Sequence, residues 1–466
     1  MEEFEDFETD YVVIGAGATS LAFVDTMLDT TGASFTLIDR RDKAGGHWND
    51  AYPYVTLHQP SSYYGVASRE LGSGRIDRLG LNKGFEELAS GFEVANYFHD
   101  LIGEKFLPSG RVKYLPMCEY SEGGEVRNLL SHKTIKVTAR KKVVDASIYE
   151  TAIPLTHRRK FEVTPGVRCI PPNFLPSNAH KHRHYTILGA GKTAMDSIVW
   201  LMENGACQDQ ISWVMPRDPW MMNRALAQPR GACFYESYGG VTRQLEAGRD
   251  ATSVDDFAER MEKAGIWMRV DPDVRPKIMH GPTVSKAEFA YLRQIKNIMR
   301  QGHVIHIEPE KILFKNDESA PAKLDTLFVD CTARAIKQTK PWPIFSEGRI
   351  DLQMIRLYQP MFSVALLAKL ESLYDDDDVK NKLSVPMSMT DTVQSWIAAQ
   401  IINSTNQFAW SKVPELQAWI NTCRLDGFGR PAREVDPNEP KVMAVMEKIR
   451  ELMVPALKNM QKLVAE

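Results

Sequence analysis

Cysteine is sparse and scattered in this chain. Cys118, Cys169, Cys207, Cys233, Cys331 and Cys423 include no Cys-x-x-Cys pair. That argues against a disulfide framework, a zinc site or a dithiol redox centre, and suits a reducing cytoplasm. Long apolar runs are also missing. None reaches the roughly 18–20 residues that span a bilayer, so no membrane partner is expected. Stretches such as Met361 to Leu367 fit a buried element instead. Positive charge is not in excess: the formal charge is -3, with 25% charged residues, which gives nucleic acid no basic field. The opening Met1 to Phe7 is acidic and leads straight into an apolar strand, so no secretory leader is expected. No Ser-His-Asp or paired-carboxylate arrangement is visible either.

What the chain does contain is nucleotide-binding punctuation. Its 466 residues suggest two or three domains with ample core. Tyr11 to Ile14 read as a short apolar strand, and Gly15-Ala16-Gly17 as the tight turn out of it. Ala18 to Thr30, opening with Ala18, Thr19 and Ser20, then carry a helical pattern. Ser34 to Asp39 form the next strand and end on an acid. This is the order of a dinucleotide-binding βαβ unit. Gly15 permits the turn, Gly17 lets backbone approach a pyrophosphate at the positive helix end, and Asp39 can accept hydrogen bonds from a ribose. Ser20 stands where a third glycine is usual.

Just past Asp39 and Arg40 comes Gly45-Gly46-His47-Trp48. A Gly-Gly pair there lets a loop fold under a cofactor, and Trp48 offers it a flat apolar surface. This points to flavin adenine dinucleotide (FAD), which is long enough to need a second contact strip. Gly-x-Gly-x-x-Gly, then an acid, then Gly-Gly-x-Trp resembles the flavin-containing monooxygenases and the related class B flavoprotein monooxygenases. The resemblance implies that the aromatic, proline-broken stretch Tyr52 to Tyr64 passes beside the isoalloxazine ring. It places Gln59 where some members carry a catalytic Asn, with His58 beside it, so both are candidate catalytic and cofactor-contacting residues.

A second fingerprint repeats the first. His184 to Leu188 is a strand, Gly189-Ala190-Gly191-Lys192-Thr193-Ala194 a turn into a helix, and Asn204-Gly205 a fitting stop. The next strand, Ile211 to Met215, ends in Pro216-Arg217 rather than an acid. A cation at that place suits a 2′-phosphate and favours NADPH over NADH, with Lys192 and Arg224 able to assist. The proline-rich Ile170 to Pro176 reads as a domain crossing. The family's Phe-x-Gly-x-x-x-His segment is only half matched by Phe174 to His180, which leaves the substrate class open. The His180 to His184 tract has no acid or cysteine at ligand spacing, so no metal site is expected.

The remaining elements follow from periodicity. Phe92 to Phe106, Val254 to Ala264 and Val284 to Gln301 are expected helices, and Thr134 to Tyr149 an antiparallel hairpin turning at Arg140-Lys141-Lys142. Trp220-Met221-Met222 and Trp267-Met268 are expected in core, near the cleft of a two-domain enzyme. Leu324 to Ala333 should be a strand returning the chain to the first domain. Gln359, with Pro360, is expected to approach the flavin. Asp375 to Asp378 should be a solvated loop. The segments 389–408, 414–423 and 441–464 should be helices, the last amphipathic and packed on the body or on a second subunit, as in a homodimer.

The expected fold is therefore α/β, with two Rossmann-like dinucleotide-binding domains, an NADP domain inserted into an FAD domain, and extra C-terminal helices. The expected division is 1–178 and 326–466 for the FAD domain and 179–325 for the NADP domain. One site holds the flavin and the other delivers hydride to it. The resemblance implies that reduced flavin then meets dioxygen to form a C4a-hydroperoxide. That species oxygenates a small organic substrate at nitrogen, at sulfur or, in the Baeyer–Villiger manner, beside a carbonyl. Two alternatives stand beside this reading: an oxidase or dehydrogenase reduced by its own substrate, and a non-catalytic redox-sensing protein.

Overall fold

The computed structural model describes residues 5–149, 151–334 and 340–465; the acidic opening at 1–4 lies outside them. Two parallel sheets organise the chain. In the first, the strand order is Phe345–Ser346, Arg349–Asp351, Thr134–Asp145, Phe7–Ile14, Phe35–Ile38 and Val112–Leu115. Neighbours along this path run parallel except the outermost pair, and the strand Glu125–Asn128 joins Thr134–Asp145 antiparallel off the path. Val12 and Val13 are fully buried, as a central strand covered on both faces requires. The helix Ala18–Thr30 packs on this sheet and against Pro360–Leu373. Both helices are apolar on almost every side, and so lie in the interior rather than on a surface.

The second sheet is wholly parallel, in the order Cys169–Ile170, Thr326–Asp330, His184–Leu188, Ile211–Val214 and Asn297–Met299. All its strands fall in sequence between Asp145 and Phe345. The second unit is thus inserted into the first, as expected. The strand Thr326–Asp330 does not return the chain to the first sheet: it pairs with His184–Leu188, and the return begins only after Asp330. The outer strand Asn297–Met299 cuts short the expected helix 284–301, which spans only Lys286–Leu292. The open edge of Ile211–Val214 takes those residues into a ladder, and that pairing outweighs their local preference.

Two more local readings are corrected. Arg140-Lys141-Lys142 is no turn, because Thr134–Asp145 is one continuous strand with a register shift near these residues. Carboxylates of neighbouring elements neutralise its cations: Asp10 takes Arg140 and Asp377 takes Lys142. The antiparallel hairpin lies earlier, between Cys118–Ser121 and Glu125–Asn128. The acidic run is exposed at Asp375, Asp376 and Asp378, as expected, but it is loop only as far as Asp376. Asp376 caps the helix Asp377–Lys382 by accepting from the amides of Asp378 and Val379, where a carboxylate complements the helix dipole.

Trp220, Trp267, Trp396 and Phe257 form one buried aromatic cluster, with Trp267 and Trp396 edge to face at 5.1 Å. The C-terminal helix Pro440–Ala465 lies on the body, against Phe234–Asp250 and Val393–Ser411. A side chain at Gly248 would meet the Met460 sulfur at 2.9 Å, so glycine lets these two helices approach closely. Among the described residues no helix is long and apolar enough to cross a membrane.

Candidate dinucleotide-binding sites

Gly15 leaves the first strand at φ +94°, in the left-handed region that favours glycine, and its amide donates to the Ile38 carbonyl at 2.8 Å. Asp39 is buried at the end of the neighbouring strand. One carboxylate oxygen accepts the Ala16 amide at 2.5 Å and the other the Arg41 amide at 2.8 Å. The acid therefore ties the glycine turn to the second strand, and its carboxylate keeps further lone pairs beyond these two bonds. Ser20 is fully buried and donates to the Gly17 carbonyl at 2.8 Å, so its hydroxyl is satisfied where a glycine is usual.

The Gly45–Gly46 loop folds back onto this turn. Gly45 donates to the Ala16 carbonyl at 2.8 Å, and a Cβ on Gly46, at φ +58°, would stand 3.1 Å from the Gly17 Cα. Only two bare backbones fit there. His47 stacks on Trp48 at 5.3 Å, and the Trp48 indole donates to the Tyr64 hydroxyl at 2.8 Å. Burial, with Arg41 nearby, pushes His47 down to about 4, so it is neutral at pH 7. Arg40 is exposed and pairs with Glu119 at 3.6 Å.

The second turn has the same build. Gly189, at φ +119°, donates to the Val214 carbonyl at 2.9 Å, and a Cβ there would strike the Cys331 carbonyl at 2.5 Å. Gly191 then opens the helix Lys192–Glu203. Neither Gly17 nor Gly191 supplies a side-chain cap, so both helix starts keep the amide-rich, positive character that binds anions. Ala194 is buried under the turn and Thr193 is half-buried.

Charge gathers at the seam between the two turns, where sequence reading expected little. The Lys192 ammonium is buried between Asp196 and Glu288, the latter at 3.5 Å. Arg224 is 1% exposed. It pairs with Glu288 at 2.5 Å and donates to the carbonyls of His58 at 2.9 Å and Thr283 at 3.2 Å, and to the Asn82 side chain at 3.1 Å. All its donors point inward, which corrects the expectation that Arg224 assists a 2′-phosphate. Burial would raise the Glu288 carboxyl, but Lys192 and Arg224 overcome it and hold the group at about 2. His58 is pushed down to about 3 by burial and then by the same two cations.

Two tyrosines bolt the loop after Trp48 to the second helix. Tyr52 donates to Asp196 at 2.6 Å, and the hydroxyls of Tyr54 and Ser197 lie 2.8 Å apart. The Tyr54 ring stacks on Trp200 at 5.4 Å. Gln59 is half-buried beside His58 in the same loop. Gln359 is buried at the start of Pro360–Leu373. Its side-chain amide donates to the Leu425 carbonyl at 3.3 Å, while its side-chain oxygen has no partner. Arg217 lies just beyond the Ile211–Val214 strand, part-exposed and 3.9 Å from Asp391.

The structure thus brings Gly15 to Ser20, Asp39 and Gly46 to Trp48 together around one turn, and Gly189 to Ala194 around the other. His58 sits at the seam. Sequence reading missed Tyr52, Asp196, Arg224 and Glu288 as one network. The visible local signal was the Ser285-x-x-Glu288 capping box, in which Glu288 reads only as a cap. Desolvation raises the half-buried Cys169 thiol to about 12 and the buried Cys331 thiol further, which disfavours the thiolate form of both.

No family model matches the chain. Uncharacterized protein Rv2000 of Mycobacterium tuberculosis is 42% identical over 422 residues, covering 90% of this chain and 78% of that protein. Uncharacterized protein Mb2023 of Mycobacterium bovis matches to the same extent. Among solved structures, cyclohexanone-bound cyclohexanone monooxygenase is 13% identical at a TM-score of 0.48, over 80% of this chain and 87% of that one. Steroid monooxygenase bound to NADP is 12% identical at 0.45, over 78% and 85%. Bacillithiol disulfide reductase from Bacillus cereus is 11% identical at 0.44, over 78% and 99%. These three are similar in chain path.

Proposed function

This chain belongs to the same family as the uncharacterized mycobacterial protein Rv2000, and we propose that it is an FAD- and NADPH-dependent flavoprotein monooxygenase of a small organic substrate. The observation that carries the reading is the pair of uncapped Gly-x-Gly turns at the carboxyl edges of two parallel sheets, joined by one loop. Ligands of such sheets bind outside the carboxyl ends of the strands. Two sites so linked serve a hydride donor and its acceptor.

The residues present fit FAD at the first turn. The bare Gly17–Gly46 approach leaves backbone for a pyrophosphate, Asp39 is set to accept from a ribose, and the orphaned Gln359 oxygen is an acceptor for an N–H. When bound, the flavin supplies electron storage and oxygen activation. Gly189 to Ala194 hold the pyrophosphate of NADPH by backbone amides, and Arg217 meets its 2′-phosphate. Neutral His58 and the Gln59 amide lie on the loop that faces both sites, where they orient the reactants without carrying a charge. Tyr52 and Tyr54 hold that loop in place. Nitrogen, sulfur or a carbonyl carbon is the oxygenated atom, and dioxygen is the second substrate.

An anaerobic titration of purified protein with NADPH, followed by air, tests this. Bleaching of the flavin bands by NADPH and their return with oxygen is expected. Yellow protein that NADPH does not reduce, but an organic substrate does, would replace the reading with an oxidase.

A further inference from the structure

Two arginines leave the same edge of the second sheet on either side of its fingerprint strand. Ile211–Val214 and Thr326–Asp330 flank His184–Leu188, all three run parallel, and Arg217 and Arg334 follow just beyond the two outer strands. Both side chains reach one carboxylate, Asp391, which comes from the far C-terminal segment just before the helix Val393–Ser411. Arg217 lies 3.9 Å from it and Arg334 3.2 Å, and the His280 Nε2 lies 2.7 Å away. The three cationic or basic groups are each about half exposed, while Asp391 is more covered. One carboxylate thus sits among two permanent cations and an imidazole, so the cluster keeps excess positive charge on residues that follow the two strands flanking His184–Leu188.

We propose that this cluster is the phosphomonoester subsite of the second nucleotide site, with Arg334 and His280 acting alongside Arg217 and with Asp391 as a built-in anion that the phosphate displaces. The proposal rests on the reading of the second turn as a dinucleotide site. Exchange of anions explains the selectivity. A 2′-phosphate carries about −1.5 to −2 charges at neutral pH and three strong acceptor oxygens, and Arg binds it by paired N–H groups. It therefore outcompetes a single carboxylate. NADH offers only a hydroxyl there, leaves Asp391 in place and gains nothing from the cations. Asp391 keeps its backbone ties in either case, since its carbonyl accepts from Met279 at 2.9 Å and its amide donates to Ser395 at 2.9 Å.

The test is equilibrium titration of the flavin-loaded protein with NADP⁺ and NAD⁺, and with adenosine 2′,5′-bisphosphate and 5′-ADP to separate the monoester from the diphosphate. Arg334→Gln should weaken NADP⁺ and the 2′,5′-bisphosphate about tenfold and leave NAD⁺ and 5′-ADP within about twofold. Asp391→Asn should tighten the two 2′-phosphates several-fold and leave the other two unchanged. Both positions are part-exposed, and far-UV circular dichroism checks that each variant is folded. Unchanged titrations in both variants, or equal shifts for all four ligands, overturn the proposal. Wild-type protein that prefers NADP⁺ beside indifferent variants sinks this inference alone. Wild-type protein that binds no dinucleotide sinks it together with the reading of the second turn.

Discussion

The Tyr52 hydroxyl donates to Asp196 at 2.6 Å, and this bond joins the loop that follows one fingerprint to the helix that opens at the other. Asp196 also holds Lys192, the first residue of that helix, and Lys192 leads through Glu288 to Arg224 and the His58 carbonyl. The same short loop is therefore fastened to the second helix directly and through a buried chain of charges.

Tyr52→Phe should cost about 1.5–3 kcal/mol, the range for a hydrogen bond to a charged group. A thermal unfolding series with Tyr52→Phe, Asp196→Asn and the double variant would measure it. If the double variant simply sums the two singles, the two residues are not coupled and this account of the seam is wrong.

Glu288→Gln should be more costly, about 3–5 kcal/mol, because it leaves two buried cations short of a partner. The same carboxylate predicts a pH dependence. Its folded value, about 2, is below the ordinary glutamate range, so the unfolded chain binds more protons in between. Stability from this group is complete above about 4.5 and lost as pH falls toward 2, on the order of 3 kcal/mol in all. Acid unfolding of wild type should be steeper in that window than that of Glu288→Gln. Parallel curves would remove Glu288 from the explanation.

His58 should stay neutral from pH 5 to 8, since burial and two cations hold it at about 3. Its ring resonances should be flat across that range by NMR, assigned by loss in His58→Gln. The unfolded histidine titrates near 6.5, so His58 favours the folded state above that value, and the benefit fades as pH drops toward 3. A ring that titrates near 6.5 in the folded protein would contradict the buried placement.

Gly46→Ala should lower the flavin bound per protein at least about tenfold, because the new methyl stands 3.1 Å from the Gly17 Cα in a left-handed backbone. Flavin absorbance per mole of purified protein is the readout. A fully yellow Gly46→Ala protein would mean that this close approach does not shape the first site.

Much of the frame was legible along the chain. Gly15 and Gly189 announce their turns because their left-handed backbone suits few other residues, and the apolar strands and helices around them follow from local pattern. The helix starting at Gly91 likewise shows its Ser90–Glu93 capping box in four residues. Where local preference met a stronger partner, pattern failed. Arg140 to Lys142 look like a turn until Asp10 and Asp377 neutralise them in a long strand, and Asn297 to Met299 look helical until an open strand edge takes them.

The sequence by itself determined the two glycine turns, their helices and the acid or arginine that ends each neighbouring strand, because each depends on residues a few positions apart. Only the tertiary structure decided that Arg224 serves the interior rather than a ligand, that Lys192 is shared by two carboxylates, and that Asp391 meets Arg217 and Arg334. Those outcomes join residues up to hundreds of positions apart, and where a charge ends depends on which opposite charge the fold brings within a few ångströms of it.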